Sequence, residues 1–206
     1  GWSDEYIHIV LLAVSLVGDA FLEALTNTDS ELRTAGDAVK SAYGLNDGDT
    51  FYFEWDENCW WCREDPKGCD AGTTTGAACV SGFGYTVGEN WIEFASMSEI
   101  DTPLRQINNV IHELGHAFNI RLGRTPEDAL NLEDDLLVRD SGFYGPARNI
   151  TWQQSRRTSA SEIYADQFLG WIYGLWGSDY RGPLRADFMN RMNGQSGWVE
   201  DASGLP

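Results

Sequence analysis

Thr102-Pro103-Leu104-Arg105-Gln106-Ile107-Asn108-Asn109-Val110-Ile111-His112-Glu113-Leu114-Gly115-His116-Ala117-Phe118-Asn119-Ile120-Arg121-Leu122-Gly123 combines a helix signal at each end with a metal-binding pattern in its middle. Threonine followed by proline is a good N-cap with proline at the first helical position. Gly123 stands where the helix should stop, and Arg121 places a cation in the last turn, where it suits the dipole. Ile107, Val110, Ile111, Leu114 and Phe118 recur at helical spacing, so the run predicts a long amphipathic helix packed into a core. His112 and His116 are four residues apart and share one face of that helix. Two imidazoles so placed can reach one metal ion. Glu113, one position along, lies beside the ion rather than on it, where its carboxylate can hold a water. The pattern is H-E-x-x-H, the arrangement needed for zinc-assisted hydrolysis with a carboxylate general base. The chain has only three histidines, and two of them fall at this spacing around a glutamate.

The 206 residues suffice for a sizeable core and read as a single catalytic domain over 1–206. Within it, 1–100 carries N-terminal helices and a sheet, 101–193 the metal-site helices, and 194–206 a tail. Nine tryptophans, nine phenylalanines and eight tyrosines argue against disorder, although the chain is acidic. A net charge of −18 argues against nucleic acid, whose phosphates would be repelled. Glu127, Asp128, Glu133, Asp134 and Asp135 cluster, but no EF-hand-type loop accompanies them, so a calcium site is only weakly indicated. Ile9 to Val17 is apolar, yet Asp4 and Glu5 precede it where a signal sequence would carry positive charge. His8, Gly18, Asp19 and Glu23 bracket it too closely for a membrane span, so Ser3 to Leu25 reads as a buried helix capped by Ser3.

Cys59, Cys62, Cys69 and Cys79 lie close together. A structural zinc knuckle would need two C-x-x-C pairs, and only Cys59/Cys62 is one. An even count in a segment rich in glycine and aromatics fits two disulfides better, with the pairing open. The expected location is therefore extracellular. The chain begins at Gly1 rather than methionine, which suggests a mature protein or an excised domain, and Asn149-Ile150-Thr151 is a glycosylation sequon.

Further elements are a helix from Glu31 to Tyr43 stopped by Gly44 and a strand from Phe51 to Trp55. Two more strands, Phe83 to Val87 and Asn90 to Ala95, are separated by a Gly-Glu turn. Beyond the motif come a short helix around Glu127 to Leu137, a strong helix from Ser159 to Trp176, and a last helix from Pro183 to Met192. Zinc needs a third protein ligand with one position left open. Asn119 and Leu122 occupy the places where the extended metzincin motif requires glycine and then histidine or aspartate, so a carboxylate is left. Glu162, in Ser161-Glu162-Ile163-Tyr164-Ala165-Asp166, is the best candidate. Asp166, four residues on and on the same face, could accept the spare ring N–H of a histidine ligand. Two alternatives stay open. Ser159-x-x-Glu162 is also a capping-box pattern, and in that case Asp166 could be the ligand or Glu162 purely structural.

His112, Glu113, His116, Glu162 and Asp166 together resemble the gluzincins, the zinc-metallopeptidase group that includes thermolysin-like and neprilysin-like enzymes. That group joins an H-E-x-x-H helix to a second helix bearing a glutamate ligand, with an aspartate four residues later. The resemblance covers Phe83 to Trp176 at the level of motifs. It implies an α+β, zincin-like fold: a small twisted mixed sheet, a backing helix, the active-site helix and the glutamate helix. It also implies that Trp91, Ile92, Glu93 and Phe94 form an antiparallel edge strand that binds extended substrate. Thermolysin-like enzymes add a later histidine and a tyrosine to steady the oxyanion. No histidine follows His116, which leaves Tyr144 and Tyr180, with Arg181, as substitutes.

The expected activity is hydrolysis of peptide bonds in a peptide or protein substrate, with Zn2+ held by His112, His116 and Glu162 and with Glu113 as general base. An alternative of another class is a non-catalytic zinc-containing binding or adhesion module. Glu113 speaks against it, because metal binding alone does not need that carboxylate. A non-peptide amide is a third substrate that the same site would serve.

Overall fold

The computed structural model describes residues 2–25, 32–55, 84–88, 90–94, 102–137, 159–177 and 179–194. The four cysteines, Tyr144 and the sequon at Asn149 lie outside these residues. Along the chain come α1 (Asp4–Leu25), α2 (Ala35–Ala42), β1 (Tyr52–Trp55), β2 (Gly84–Gly88) and β3 (Trp91–Phe94). They are followed by α3 (Pro103–Arg121), α4 (Thr125–Leu130), α5 (Ala160–Tyr173) and α6 (Arg181–Asn193).

Among the described residues helix dominates, and this overturns the expected α+β zincin-like architecture. The strands are four, five and four residues long, whereas α1, α3, α5 and α6 run to 22, 19, 14 and 13 residues. Strands this short offer too little surface to serve as a layer on which helices pack. The core is built helix on helix instead. Phe21 of α1 sits at its centre, with ring centroids 5.0 Å from Phe118 of α3 and Trp171 of α5 and 6.0 Å from Phe168 of α5. Ile111, Leu114, Ala117, Ile163, Tyr164 and Leu169 complete the buried seam between α3 and α5.

The local signals explain where the helices begin and end. Thr102 caps α3, its hydroxyl accepting from Arg105 N at 3.3 Å, and Gly123 leaves the helix at φ 60°. In α2 the true cap is Thr34, whose side chain forms a complete capping box with Asp37, so this helix starts later than Glu31. The acidic stretch after α3 is helical only to Leu130, and turns follow to Leu137. The helix α1 is long and apolar enough to cross a membrane by length and composition. Here one face of it is buried, through Ile9, Val10, Ala13, Val17, Phe21 and Leu25, while Ile7, Leu11 and Leu12 are exposed. The burial expected for this segment therefore holds for one side of the helix.

Two glycines set helix spacing. A Cβ on Gly18 of α1 would stand 2.6 Å from the Ala35 carbonyl oxygen of α2. A Cβ on Gly115 of α3 would stand 3.0 Å from Cβ and Cγ of Phe168 on α5. The second approach draws the motif helix against the helix that carries Glu162.

The strand order is β1-β3-β2, with β3 parallel to β1 and antiparallel to β2. Trp91–Phe94 is thus the middle strand, paired residue by residue with Tyr52–Trp55 on one side. This corrects the reading of Trp91, Ile92, Glu93 and Phe94 as a substrate-binding edge: both backbone edges of β3 are already hydrogen-bonded within the chain. Ile92 and Phe94 point into the core and are fully buried. The outer strand that packs against α3 is β2.

Candidate metal centre

Helices α3 and α5 bring together the four residues that carry the pattern. His112 and His116 leave α3 on the face turned to α5 because they are separated by one helical turn. Nε2 of His112 lies 3.2 Å from Nε2 of His116 and 3.2 Å from Oε2 of Glu162. Nε2 of His116 lies 3.4 Å from Oε1 of Glu162. His112, His116 and Glu162 therefore form a largely buried group that could hold a metal ion, with all three donor atoms within 4.8 Å of one another. The spacing can be tested against metal geometry. Nitrogen and oxygen donors stand about 2.0–2.2 Å from zinc, so donors at the corners of a tetrahedron are about 3.3–3.6 Å apart. The two histidine nitrogens are 3.2 Å apart, close to that edge length, and each has a Glu162 oxygen at a similar distance, Oε2 at 3.2 Å from His112 and Oε1 at 3.4 Å from His116, so the two contacts to the carboxylate are made by different oxygens. The donor set fits.

Of the alternatives left open for Glu162, its side chain takes a position from which it could serve as a metal ligand. Ser159 caps α5, its hydroxyl accepting from Glu162 N at 3.4 Å, so half of the capping box is present. The Glu162 carboxylate does not fold back on Ser159 but directs one oxygen to each histidine. Asp166 is one turn further along and meets the far side of His112, Oδ1 to Nδ1 at 3.0 Å. It is therefore placed behind His112 and is not one of the three grouped donors.

Charge in the metal-free cluster follows from these contacts. Burial pushes the His112 imidazolium down, but the hydrogen bonds to Asp166 and Glu162 outweigh it and raise the pKa from 6.5 to about 10. Burial opposes ionisation of Glu162, yet its hydrogen bonds to His112 and His116 hold its carboxyl well below the usual range. The cluster is closed on one side and open on the other. The His112 side chain is 1% exposed, that of His116 12%, and that of Glu162 35%. A metal here would be sealed against the core at His112 and reachable from solvent past Glu162.

Glu113 is buried and is not among the three donors. Of the residues suggested as oxyanion donors, Tyr144 lies outside the described residues. Tyr180 is exposed, its hydroxyl donates to Asp135 Oδ1 at 3.3 Å, and Arg181 stacks on its ring at 4.7 Å. None of these contacts joins it to the metal cluster.

Three supporting residues were not foreseen from the sequence. Ser161 Oγ lies 3.2 Å from His116 Nδ1. Tyr173 donates its hydroxyl to Asn108 Oδ1 at 3.0 Å, a further rung between α5 and α3 one turn before His112. Tyr43 of the turn after α2 donates to the Leu114 carbonyl at 2.9 Å, inside the motif itself. Only Ser161 had a signal, its place next to Glu162, and that becomes meaningful once the crossing of α5 over α3 is known.

Comparison of the chain with family models, with curated proteins and with solved structures found no match.

Proposed function

We propose that this chain is a zinc-dependent hydrolase acting on peptide bonds, with a metal site of the gluzincin kind. The observation that carries the reading is the convergence of His112 Nε2, His116 Nε2 and the Glu162 carboxylate within 4.8 Å of one another, with Glu113 next to His112 in the chain but outside the donor set. Asp166 behind His112 supports it, since such a partner fixes the ring tautomer and strengthens the ligand. The likeness to gluzincins rests on these five residues alone. It does not extend to the sheet.

When bound, zinc supplies a Lewis acid that lowers the pKa of water from about 15.7 to about 7 and polarises a carbonyl. The rest falls to the chain. Glu113, a buried carboxylate one residue from His112 and outside the donor set, would serve as the general base that takes a proton from the attacking water and passes it to the leaving amine. His112 is kept neutral at Nε2 by donating its Nδ1 proton to Asp166. Exposure on the Glu162 side provides the way in for substrate. An extended peptide would pair with the outer edge of β2, Gly84–Gly88, which packs against α3.

The test is Glu113→Gln. Turnover of a peptide library should fall by at least about 100-fold, the scale of general-base catalysis, while zinc stoichiometry stays that of the wild type. Wild-type protein that carries zinc but cleaves nothing would instead make the chain a zinc-containing binding module.

A further inference from the structure

The two histidines of the cluster are supported unequally. His112 has a buried carboxylate behind it, Asp166 Oδ1 at 3.0 Å from Nδ1. His116 has a neutral hydroxyl, Ser161 Oγ at 3.2 Å from Nδ1. We infer that Ser161 is a positioning residue that sets His116 as the weaker, solvent-side ligand of the pair and thereby tunes how tightly the site holds its metal. This rests on the metal-site reading above.

Three observations carry it. First, Ser161 is not needed to start its helix. Ser159 is the N-cap of α5 and accepts from Glu162 N, so the hydroxyl of Ser161, inside the first turn, is free to serve α3. Second, the chemistry of the ring fixes the direction of the bond. With a metal on Nε2, the ring proton of His116 would be on Nδ1, and Ser161 Oγ would be its acceptor. A hydrogen bond to a carboxylate is about twice as strong as one between neutral groups, so it leaves more electron density on the ring. His112 is therefore the stronger donor and His116 the weaker. Third, burial runs the same way: the His112 side chain is 1% exposed and that of His116 12%. Water competes for the metal at the ligand that is bound less firmly.

The affinity of the site should thus follow the chemistry at position 161. Removing the hydroxyl frees the His116 ring to rotate and weakens it as a ligand. A carboxylate there would give His116 the kind of support that His112 already has, and a negative charge in the first turn of α5 suits the helix dipole.

The experiment measures zinc affinity by competition with a chromophoric chelator, together with the visible spectrum of the cobalt(II)-loaded full chain. The proteins are the wild type, Ser161→Ala, Ser161→Thr and Ser161→Asp. We expect Ser161→Ala to bind zinc about 10-fold more weakly and to shift the cobalt bands, at the lower end of the range for partners of metal ligands. Ser161→Thr should restore both readouts, and Ser161→Asp should bind more tightly than the wild type. Wild-type affinity and spectrum in Ser161→Ala would overturn the inference. So would a weakened Ser161→Ala that Ser161→Thr does not rescue, because the effect would then be one of packing. If Ser161→Ala does not fold, Ser161→Asp decides, and an affinity no higher than the wild type's would refute the idea. Failure of the metal reading shows separately: the wild type itself would bind neither zinc nor cobalt.

Discussion

Asp166 Oδ1 lies 3.0 Å from His112 Nδ1, on the opposite side of the imidazole from Glu162 Oε2, which lies 3.2 Å from Nε2. One face of α5 therefore grips both nitrogens of one ring. Four residues separate Glu162 from Asp166, so they rise one turn apart on that face and straddle His112. The arrangement holds the ring by its two polar atoms and leaves its plane no freedom to rotate.

The first prediction concerns this grip. Asp166→Asn keeps a hydrogen-bonding side chain of the same shape and removes the charge. Zinc affinity should fall by about 10- to 100-fold while the protein stays folded. A chelator competition assay measures it, with circular dichroism as the control for folding. Affinity equal to the wild type's would mean that the contact adds nothing to the site.

A second prediction concerns the gap between the two helices. Gly115 lies inside the motif, and a Cβ there would already stand 3.0 Å from Phe168. Gly115→Val adds three carbons at that point. Overpacking of this kind costs about 1–3 kcal/mol, and the helices can relieve it only by moving apart. Such movement lengthens the distances from His112 and His116 to Glu162, so zinc affinity should fall along with the melting temperature. A variant that keeps both would show that Phe168 can turn aside without moving α5.

The parts of this picture that were legible in the sequence are those set by residues close together in the chain. The caps Ser3, Thr102 and Ser159 and the stops Gly44 and Gly123 mark helix ends by local hydrogen bonding and by left-handed backbone, whereas the stop at Gly174 was passed over by a helix read on to Trp176. The candidate metal site was legible for the same reason, because each of its two pairs, His112/His116 and Glu162/Asp166, is spaced by one helical turn. The fold class was misjudged because short aromatic runs signal a strand without saying how far it extends. Tyr52–Trp55 stops after four residues and Trp91–Phe94 likewise. The place of β3 in the sheet depends on β1, nearly forty residues earlier, docking in parallel register with Tyr52 opposite Trp91. No local pattern encodes that. The central position of Phe21 between α3 and α5 is hidden for the same reason: its neighbours Phe118 and Trp171 come from distant parts of the chain.

The third prediction is a pH dependence that does not involve the metal. Tyr43 and Tyr164 are fully buried, and burial pushes their phenols well above the ordinary 10.0. Tyr173 is raised from 10.0 to about 12 by the same cause. All three act as donors, to the Leu114 carbonyl, Asn193 Oδ1 and Asn108 Oδ1. Because the folded pKa values are raised, the unfolded chain loses these protons first. The stabilisation is complete below about pH 10 and declines as pH rises through the folded value of about 12. Alkaline titration should therefore show unfolding in that window, and tyrosinate absorbance from these three residues should appear together with loss of helical circular dichroism. Tyrosinate formation for all eight tyrosines near pH 10 with the helix signal intact would contradict their burial.

The fourth prediction separates the two things Glu162 can do at the start of α5. Its backbone N–H is capped by Ser159, and that bond survives any change of side chain. Its carboxylate faces His112 and His116, 3.2 Å and 3.4 Å away. Glu162→Gln retains the length of the side chain and one carbonyl oxygen but not the anion. As a metal ligand the residue needs that anion, so zinc binding should be lost or weakened by orders of magnitude. As a helix-start residue it does not, since glutamine serves in a capping box as well as glutamate. The metal-free variant should nevertheless lose some stability relative to metal-free wild type, because imidazolium at His112 then faces one carboxylate, Asp166, instead of two. Zinc stoichiometry and the melting temperature of both metal-free proteins are measured side by side. Lost zinc with a melting temperature lowered by no more than a few degrees is the expected result. Retained zinc at wild-type affinity would remove Glu162 from the donor set and with it the third ligand on which the proposed metal centre depends.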